Sequence, residues 1–320
     1  MRKSKKILLI LSVLFVLVGA MIFTVGIASL NFDFTKLSTE KAEAVTYEIL
    51  ENFDNIAVNV NTADVRFEPA EDGKGKVVCR ETDKVKHNAY VNDGTLTVDR
   101  VDTRKWYSYI GVNFVDMEIT VYLPKREYSL LSVETNTGDI TLSGDVTFEN
   151  VKAVTDTGDI SVAMSEFGHF ELSTDTGDVT LTDVSADEIE IEADTGSIEI
   201  KSAEAKGKVV IETDTGDVSV TDLACQSFET ESDTGDILLS RVCSADSLTV
   251  NTSTGDVIFD HADASSIFVE TNTGDVEGTL DTEKVFITET STGKVNVPKS
   301  ITGGRCEIVT STGDIEIEIE

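Results

Sequence analysis

The chain has 320 residues, with 26 Lys and Arg against 59 Asp and Glu, for a net charge of −33. So acidic a surface repels nucleic acid and anionic lipid headgroups and attracts cations, basic peptides and basic proteins instead. With 22 glycines, three prolines and 7% aromatic residues, the composition also argues against one or two conventional packed cores.

Residues 1–6 hold Arg2, Lys3, Lys5 and Lys6, and Ile7 to Leu30 is an uncharged, mostly apolar run. As a helix it spans roughly 36 Å, enough to cross a bilayer. We read 7–30 as a signal anchor, with 1–6 cytoplasmic by the positive-inside rule and the bulk of a single-pass cell-membrane protein outside. A cleavable signal peptide is the competing reading, because Gly26-Ile27-Ala28 before Ser29 offers small residues at a cleavage site. The run is longer than the usual signal-peptide core of about 7 to 15 residues. The absence of a Cys at its end argues against a lipid-attached lipoprotein. Beyond the run, 22 basic residues face all 59 acidic ones, a charge that also keeps an elongated β protein soluble and its edges unpaired.

Residues 31–50 read as a linker, and 51–130 as irregular first coils with an N-terminal cap. Ile56, Val58, Asn61-Thr62-Ala63-Asp64, Val65 and Phe67 fit one coil with Ala in a glycine slot. Asp93-Gly94, Leu96 and Val98 fit part of a second. Arg100 to Met117 is the least regular segment and carries Arg104, Lys105, Trp106, Tyr107 and Tyr109. It is either a cap over the core or a recognition loop, since aromatics beside basic side chains resemble binding hot spots.

From 131 to 320 a Thr-Gly pair recurs ten times, at Gly138, Gly158, Gly177, Gly196, Gly216, Gly235, Gly255, Gly274, Gly293 and Gly313, always 19 or 20 residues apart and followed by Asp except at Ser197 and Lys294. So tight a period predicts a solenoid with one coil per repeat. Two residues after each glycine stands Ile or Val without exception, from Ile140 to Ile315, and seven before it stand apolar residues from Leu131 to Cys306. Alternation at period two on both sides of the glycine means two short strands per coil. The fold predicted is an all-β, parallel β-helix, right-handed on general grounds of strand twist and crossover handedness. Its last coil, Ile315 to Glu320, is expected to end the rod, with outward charges discouraging another chain from pairing there.

The strand Val121-Tyr122-Leu123-Pro124-Lys125, followed by Leu131-Ser132-Val133-Glu134-Thr135-Asn136-Thr137-Gly138-Asp139-Ile140, resembles the lead-in of the bacterial putative-adhesin β-strand-repeat family of unknown function, the LiaG-like or toastrack group. The likeness covers about residues 50 to 320. It implies a membrane-tethered extracytoplasmic β-helix, sometimes linked with envelope-stress signalling, and supplies no catalytic residues.

The repeated polar residues have structural readings. Thr137 and its equivalents read as a ladder of like residues beside the corner. Asp, Asn or Ser two before the glycine, and Asp just after it, read as side chains holding backbone amides of a turn in which glycine takes positive φ. The alternative is a weak Ca²⁺ column of Asp139, Asp159, Asp178, Asp217, Asp236, Asp256 and Asp275, since Ca²⁺ wants six to eight oxygens. The glycine-rich nonapeptide of dedicated Ca²⁺ coils is missing, and no cofactor is implied. A second stripe, Glu134, Glu192, Glu212, Glu231, Glu270 and Glu289, faces outward as a solvated surface or as a docking face for a basic partner.

His87, His169 and His261 are unclustered, and no zinc, nucleotide or nucleophile motif appears. Cys225 and Cys243 fall in the same corner of adjacent coils, which makes a disulfide between them an open alternative, and Cys306 reads as a core filler. The function expected is therefore non-enzymatic: a membrane-anchored envelope scaffold or stress-signalling accessory with an envelope or membrane protein, or a cationic ligand, as partner. An adhesin-like surface-binding rod is the alternative, and a polysaccharide-active enzyme a minor one.

Overall fold

Short β-branched stretches flanking a glycine cannot bury their apolar sides alone, so they must stack. The computed structural model describes residues 3–29, 41–104, 117–144 and 146–320. The chain forms two compact units, one of residues 1–43, 81–86 and 102–116, the other of residues 44–80, 87–101 and 117–320. The first contains the helix Lys3–Ser29, in which Ile10–Ser29 has a mean hydropathy of 2.7 and is long and apolar enough to cross a membrane. The hydroxyls of Thr24 and Ser29 donate back to the carbonyls of Met21 and Gly26 at 3.0 and 2.6 Å, so these polar groups are satisfied within the helix.

The second unit is a β-solenoid. Strands before the corner pair in parallel with their equivalents one coil away, so Val151 lies between Leu131 and Phe170. Strands after the corner do the same, with Ile160 between Ile140 and Val179. The predicted inward columns are the core: from Ile140 to Val276 every residue two after a glycine is fully buried. Phe53, Tyr128, Phe148, Phe167 and Phe170 stack along one side with successive centroids 4.4 to 6.3 Å apart.

The glycine column has two causes. Its φ values run from 151° to 159° at Gly138 through Gly255, the positive φ expected from the sequence, which other residues rarely adopt. The neighbouring coil also excludes a side chain. A Cβ at Gly216 would lie 1.9 Å from the Gly196 carbonyl oxygen, and the equivalent gap along the column is 1.9 to 2.2 Å. The left-handed positions stand six residues later, at Asp183, Ser202, Asp222, Arg241 and His261, with φ from 52° to 59°. They make a second corner of each coil.

The order of the levels departs from the order of the sequence at both ends. At one end, Ser266–Glu270 pairs with Arg305–Val309, and the strand Gly304–Thr312 pairs in turn with Lys284–Thr292. The Gly313 level is therefore inserted between those of Gly274 and Gly293, and the last level of the solenoid is Gly293's, not the Ile315–Glu320 coil expected from the sequence. At the other end, Asn55–Asn59 lies between Asn55's partners Leu130 and Thr95, so the later segment stacks outside the earlier one. Leu96 and Val98 align with Ile56 and Val58, ahead of the corner, and Asp93-Gly94 is a left-handed turn (φ 48° and 76°) rather than a coil corner. The strand Glu118–Leu123 completes that level by pairing with Asp64–Pro69.

Lys284 clasps the inserted level. Its side chain is buried, and its Nζ reaches Thr282 and Asp263, the latter two levels away. Gly303 and Gly304 on the intervening level leave the space it crosses, with Lys284 Cδ 3.5 Å from where a Gly304 Cβ would lie.

Gly216→Ala should lower the free energy of unfolding by about 3 kcal/mol or more, because backbone must move. Gly94→Ala, with nothing within 4 Å of its Cβ position, should cost only about 1 to 2 kcal/mol from its positive φ. Urea unfolding of the two variants checks this, and equal losses would refute the close-approach account.

Candidate functional site

The aspartates after the glycines form a ladder. Asp159 N donates to Asp139 Oδ1 at 3.0 Å, Asp178 N to Asp159 at 2.9 Å, and Ser197 N to Asp178 at 2.8 Å. Asp217, Asp236, Asp256 and Asp275 accept in the same way from Asp236, Asp256, Asp275 and Asp314. All seven residues of the Ca²⁺ column thus spend one carboxylate oxygen on the backbone of the next level, and not on their own turn. A carboxylate accepting an amide N–H is a charge-assisted bond. Among the described residues no three of these carboxylates bring oxygens within 4.8 Å of one another.

Inside the corner runs a second ladder that the sequence reading missed. Three residues before the glycine stand buried Thr135, Thr155, Thr174, Thr213, Ser232, Thr252, Thr271 and Thr310, with Ala193 interrupting the column and the hydroxyls of Thr213, Ser232 and Thr252 making no bond. Thr155 and Thr174 donate to the carbonyls of Gly138 and Gly158 at 3.2 and 3.1 Å, and Thr310 to Gly274 at 3.2 Å. The signal was present as a third Thr column, but a polar residue in an inward position reads as a break in the pattern. The Thr before each glycine contributes its carbonyl instead, as where Gly158 N donates to Thr176 O at 2.9 Å. Two before the glycine, Asn136 donates to Asp156 at 2.8 Å along the column.

The outward glutamates come closest to a binding face. Glu192, Glu212 and Glu231 stand directly opposite one another on three successive strands. Like charges at such positions destabilise a sheet. Desolvation pushes the Glu212 carboxyl above the usual glutamate range, and the charges of Glu231, Glu192, Glu190 and Glu229 add to it. The folded chain thus holds that proton more tightly, so the patch loses stability as pH rises through its titration and regains it in acid. Elsewhere lysines relieve the charge, as in Lys152–Glu171 and Lys208–Glu229, both at 2.5 Å.

Cys225 and Cys243 are not bonded to each other. The register sets Cys225 opposite Ser244 and Cys243 opposite Ala224, a one-residue offset that turns Cys225 inward and Cys243 outward. Burial pushes the Cys225 thiol up to about 11 and that of the core residue Cys306 to about 12, which suits inert packing rather than nucleophilic chemistry. His169 and His261 each face a carboxylate, Glu188 at 3.4 Å and Asp281 at 3.0 Å, on separate levels. Of the proposed recognition residues, Arg104 is held by Asp102 in a two-pronged pair at 3.0 and 2.7 Å. Lys105, Trp106, Tyr107 and Tyr109 lie outside the described residues.

The model of the Toastrack DUF4097 family matches residues 53–212 and 204–320. Among solved structures, a putative lipid binding protein from Parabacteroides distasonis is similar at 13% identity, with 88% of this chain and 98% of that one covered and a TM-score of 0.52. A putative adhesin from the same organism is similar at 15% identity over 87% and 98% of the two chains, again with a TM-score of 0.52. At such identities the likeness is one of fold. No curated protein matches the chain at a significant level.

Asp217→Ala, which strips the acceptor from Asp236 N, should cost about 1 to 2 kcal/mol of unfolding free energy. Asp217→Asn, which keeps an oxygen there, should recover most of it. Millimolar Ca²⁺ should shift the unfolding midpoint of wild type no more than Mg²⁺ does. A saturable micromolar Ca²⁺ shift, or an Asn variant as weak as the Ala one, would contradict the amide-capping role.

Proposed function

The chain belongs to the Toastrack DUF4097 family, and from that membership we propose that it is a non-enzymatic, membrane-anchored extracytoplasmic scaffold whose solenoid binds a basic envelope partner. The observation that carries this reading is the alignment of Glu192, Glu212 and Glu231 in direct cross-strand register. Three stacked glutamates lower stability, yet an Asn251 at the next position indicates that neutral residues fit the same slot. A partner's Lys or Arg side chains would remove the repulsion, and the acidic field of the whole chain would steer them in.

Two features support the anchored placement. The large apolar side chains of the helix, among them Phe15, Val16, Met21 and Phe23, are about 70% exposed, a surface suited to lipid. The basic residues Arg2, Lys3, Lys5 and Lys6 precede the apolar stretch Ile10–Ser29 and none lies within that stretch, which favours an N-terminus kept in the cytoplasm. An envelope-stress accessory role fits that arrangement.

The test is quantitative co-purification of the tagged full-length protein from detergent-solubilised membranes. A basic extracytoplasmic protein should be retained by wild type and reduced at least tenfold by the triple variant Glu192→Gln, Glu212→Gln, Glu231→Gln. The same variant should be more stable than wild type at neutral pH by a few tenths of a kcal/mol, the repulsion being screened by water, and the difference should vanish in acid. Equal recovery of every retained protein by both forms would rule out the stripe as the binding face.

A further inference from the structure

Every level but one from the Gly138 coil onward has its inward column sealed on both sides. Residues two after the glycine are fully buried from Ile140 to Val276 and at Ile315, but Val295 is 45% exposed. Phe286 and Val297, in the other inward columns of the same level, are only half-buried. This is the Gly293 level, which insertion of the Gly313 level leaves outermost. Its strands Lys284–Thr292 and Val295–Asn296 pair on one side with Gly304–Thr312 and Ile315–Ile319. Among the described residues no strand pairs on the other side, so backbone N–H and C=O groups stand free beside uncovered core.

We infer that this level pairs with the same level of a second copy, in reversed chain direction, to close a two-fold dimer. The opposite end of the solenoid does not offer the edge that a head-to-tail array would need. There Glu118–Leu123 is covered by an antiparallel strand, with Lys76 opposite Tyr122 and Cys79 opposite Ile119, and Ile119, Val121 and Leu123 are fully buried. A two-fold pairing uses one edge per copy and stops at two.

Charge and side-chain direction agree on one register. Lys294 replaces the column aspartate at this level and is 90% exposed, whereas Glu289 lies on the other side of the corner. Lys294 N donates to the Asp314 carboxylate at 2.7 Å, but Lys294 has no carboxylate to offer a further parallel coil. The aspartate ladder therefore stops here and does not recruit one. A reversed copy centred between Ser291 and Thr292 sets Glu289 of each copy against Lys294 of the other. The same register lays Phe286 over Val297 and Thr288 over Val295, inward residue on inward residue, as the period of two requires. Any one-residue shift turns core toward solvent. Elsewhere the net charge of −33 keeps copies apart.

The full-length protein in detergent at tens of micromolar should have twice the protomer mass by light scattering. Val295→Lys should reduce it to the protomer mass while leaving its circular dichroism unchanged. In a Cys243→Ser background, chains carrying Glu289→Cys mixed with differently tagged chains carrying Lys294→Cys should form a mixed disulfide. This second measurement holds even if Val295→Lys fails to fold. A monomeric wild type, a dimer that persists in folded Val295→Lys, or the absence of the mixed disulfide would overturn the inference.

Discussion

At the corner of every coil, the carbonyl oxygen of one glycine occupies the place where a Cβ of the next would stand, about 2 Å from it. The rest of the solenoid follows from that approach. With the positive φ of these corners it restricts the column to glycine, and the column begins at Ala63, whose carbonyl oxygen lies 2.2 Å from where a Gly138 Cβ would stand. It also leaves the glycine carbonyl facing inward, where a buried acceptor without a partner would cost roughly 1 to 3 kcal/mol. Toward the two ends of the solenoid buried threonines three residues earlier supply that partner, whereas Thr213, Ser232 and Thr252 in its middle do not; the aspartates just outside the corner cap the amides that the turn leaves free. Corner and carboxylate ladder form one device repeated along the unit, and the hydroxyl ladder joins it toward the two ends.

The device is indifferent to sequence order. Any level with the same corner can stack on any other, and at both ends the chain uses that freedom by doubling back. Asp275 caps Asp314 and Asp314 caps Lys294, so the ladder passes through the final repeat before the penultimate one. Local contacts do not decide between the two orders, and in the observed one the Lys284–Asp263 pair spans the inserted level. It joins levels that are neighbours but one, through a gap that only Gly303 and Gly304 leave. Removing either partner would leave an uncompensated buried charge, at a cost of about 3 to 5 kcal/mol.

The period, the two strands per coil and the inward columns were legible in the sequence because each is a one-dimensional pattern. Val179 and Leu181 alternate with polar residues, and that alternation survives ten times over. The Ala63 coil was legible for the same reason. The stacking order was not, since a 19- or 20-residue spacing is equally compatible with either placement of the Gly313 level. The role of the aspartates was misassigned for a related reason. A carboxylate one residue after a glycine suggests a bond within its own turn, whereas the partner amide lies one coil, and thus 19 or 20 residues, away. The Cys225–Cys243 pairing failed on a single step of register, which spacing to within a residue does not resolve.

The proposed function sits on this frame as surface. The Glu192–Glu212–Glu231 stripe and the open Gly293 level are two places where the chain departs from what stability alone would select. The central structural claim, that the final repeat is inserted between its two predecessors, is tested most directly by cross-linking in a Cys243→Ser background. Cys at positions 270 and 309, which the register places opposite each other, should form a disulfide on oxidation of the Glu270→Cys, Val309→Cys protein. The Glu270→Cys, Glu289→Cys protein should not, its two positions being two levels, or about 10 Å, apart. Efficient bonding of 270 to 289 with none from 270 to 309 would contradict the account.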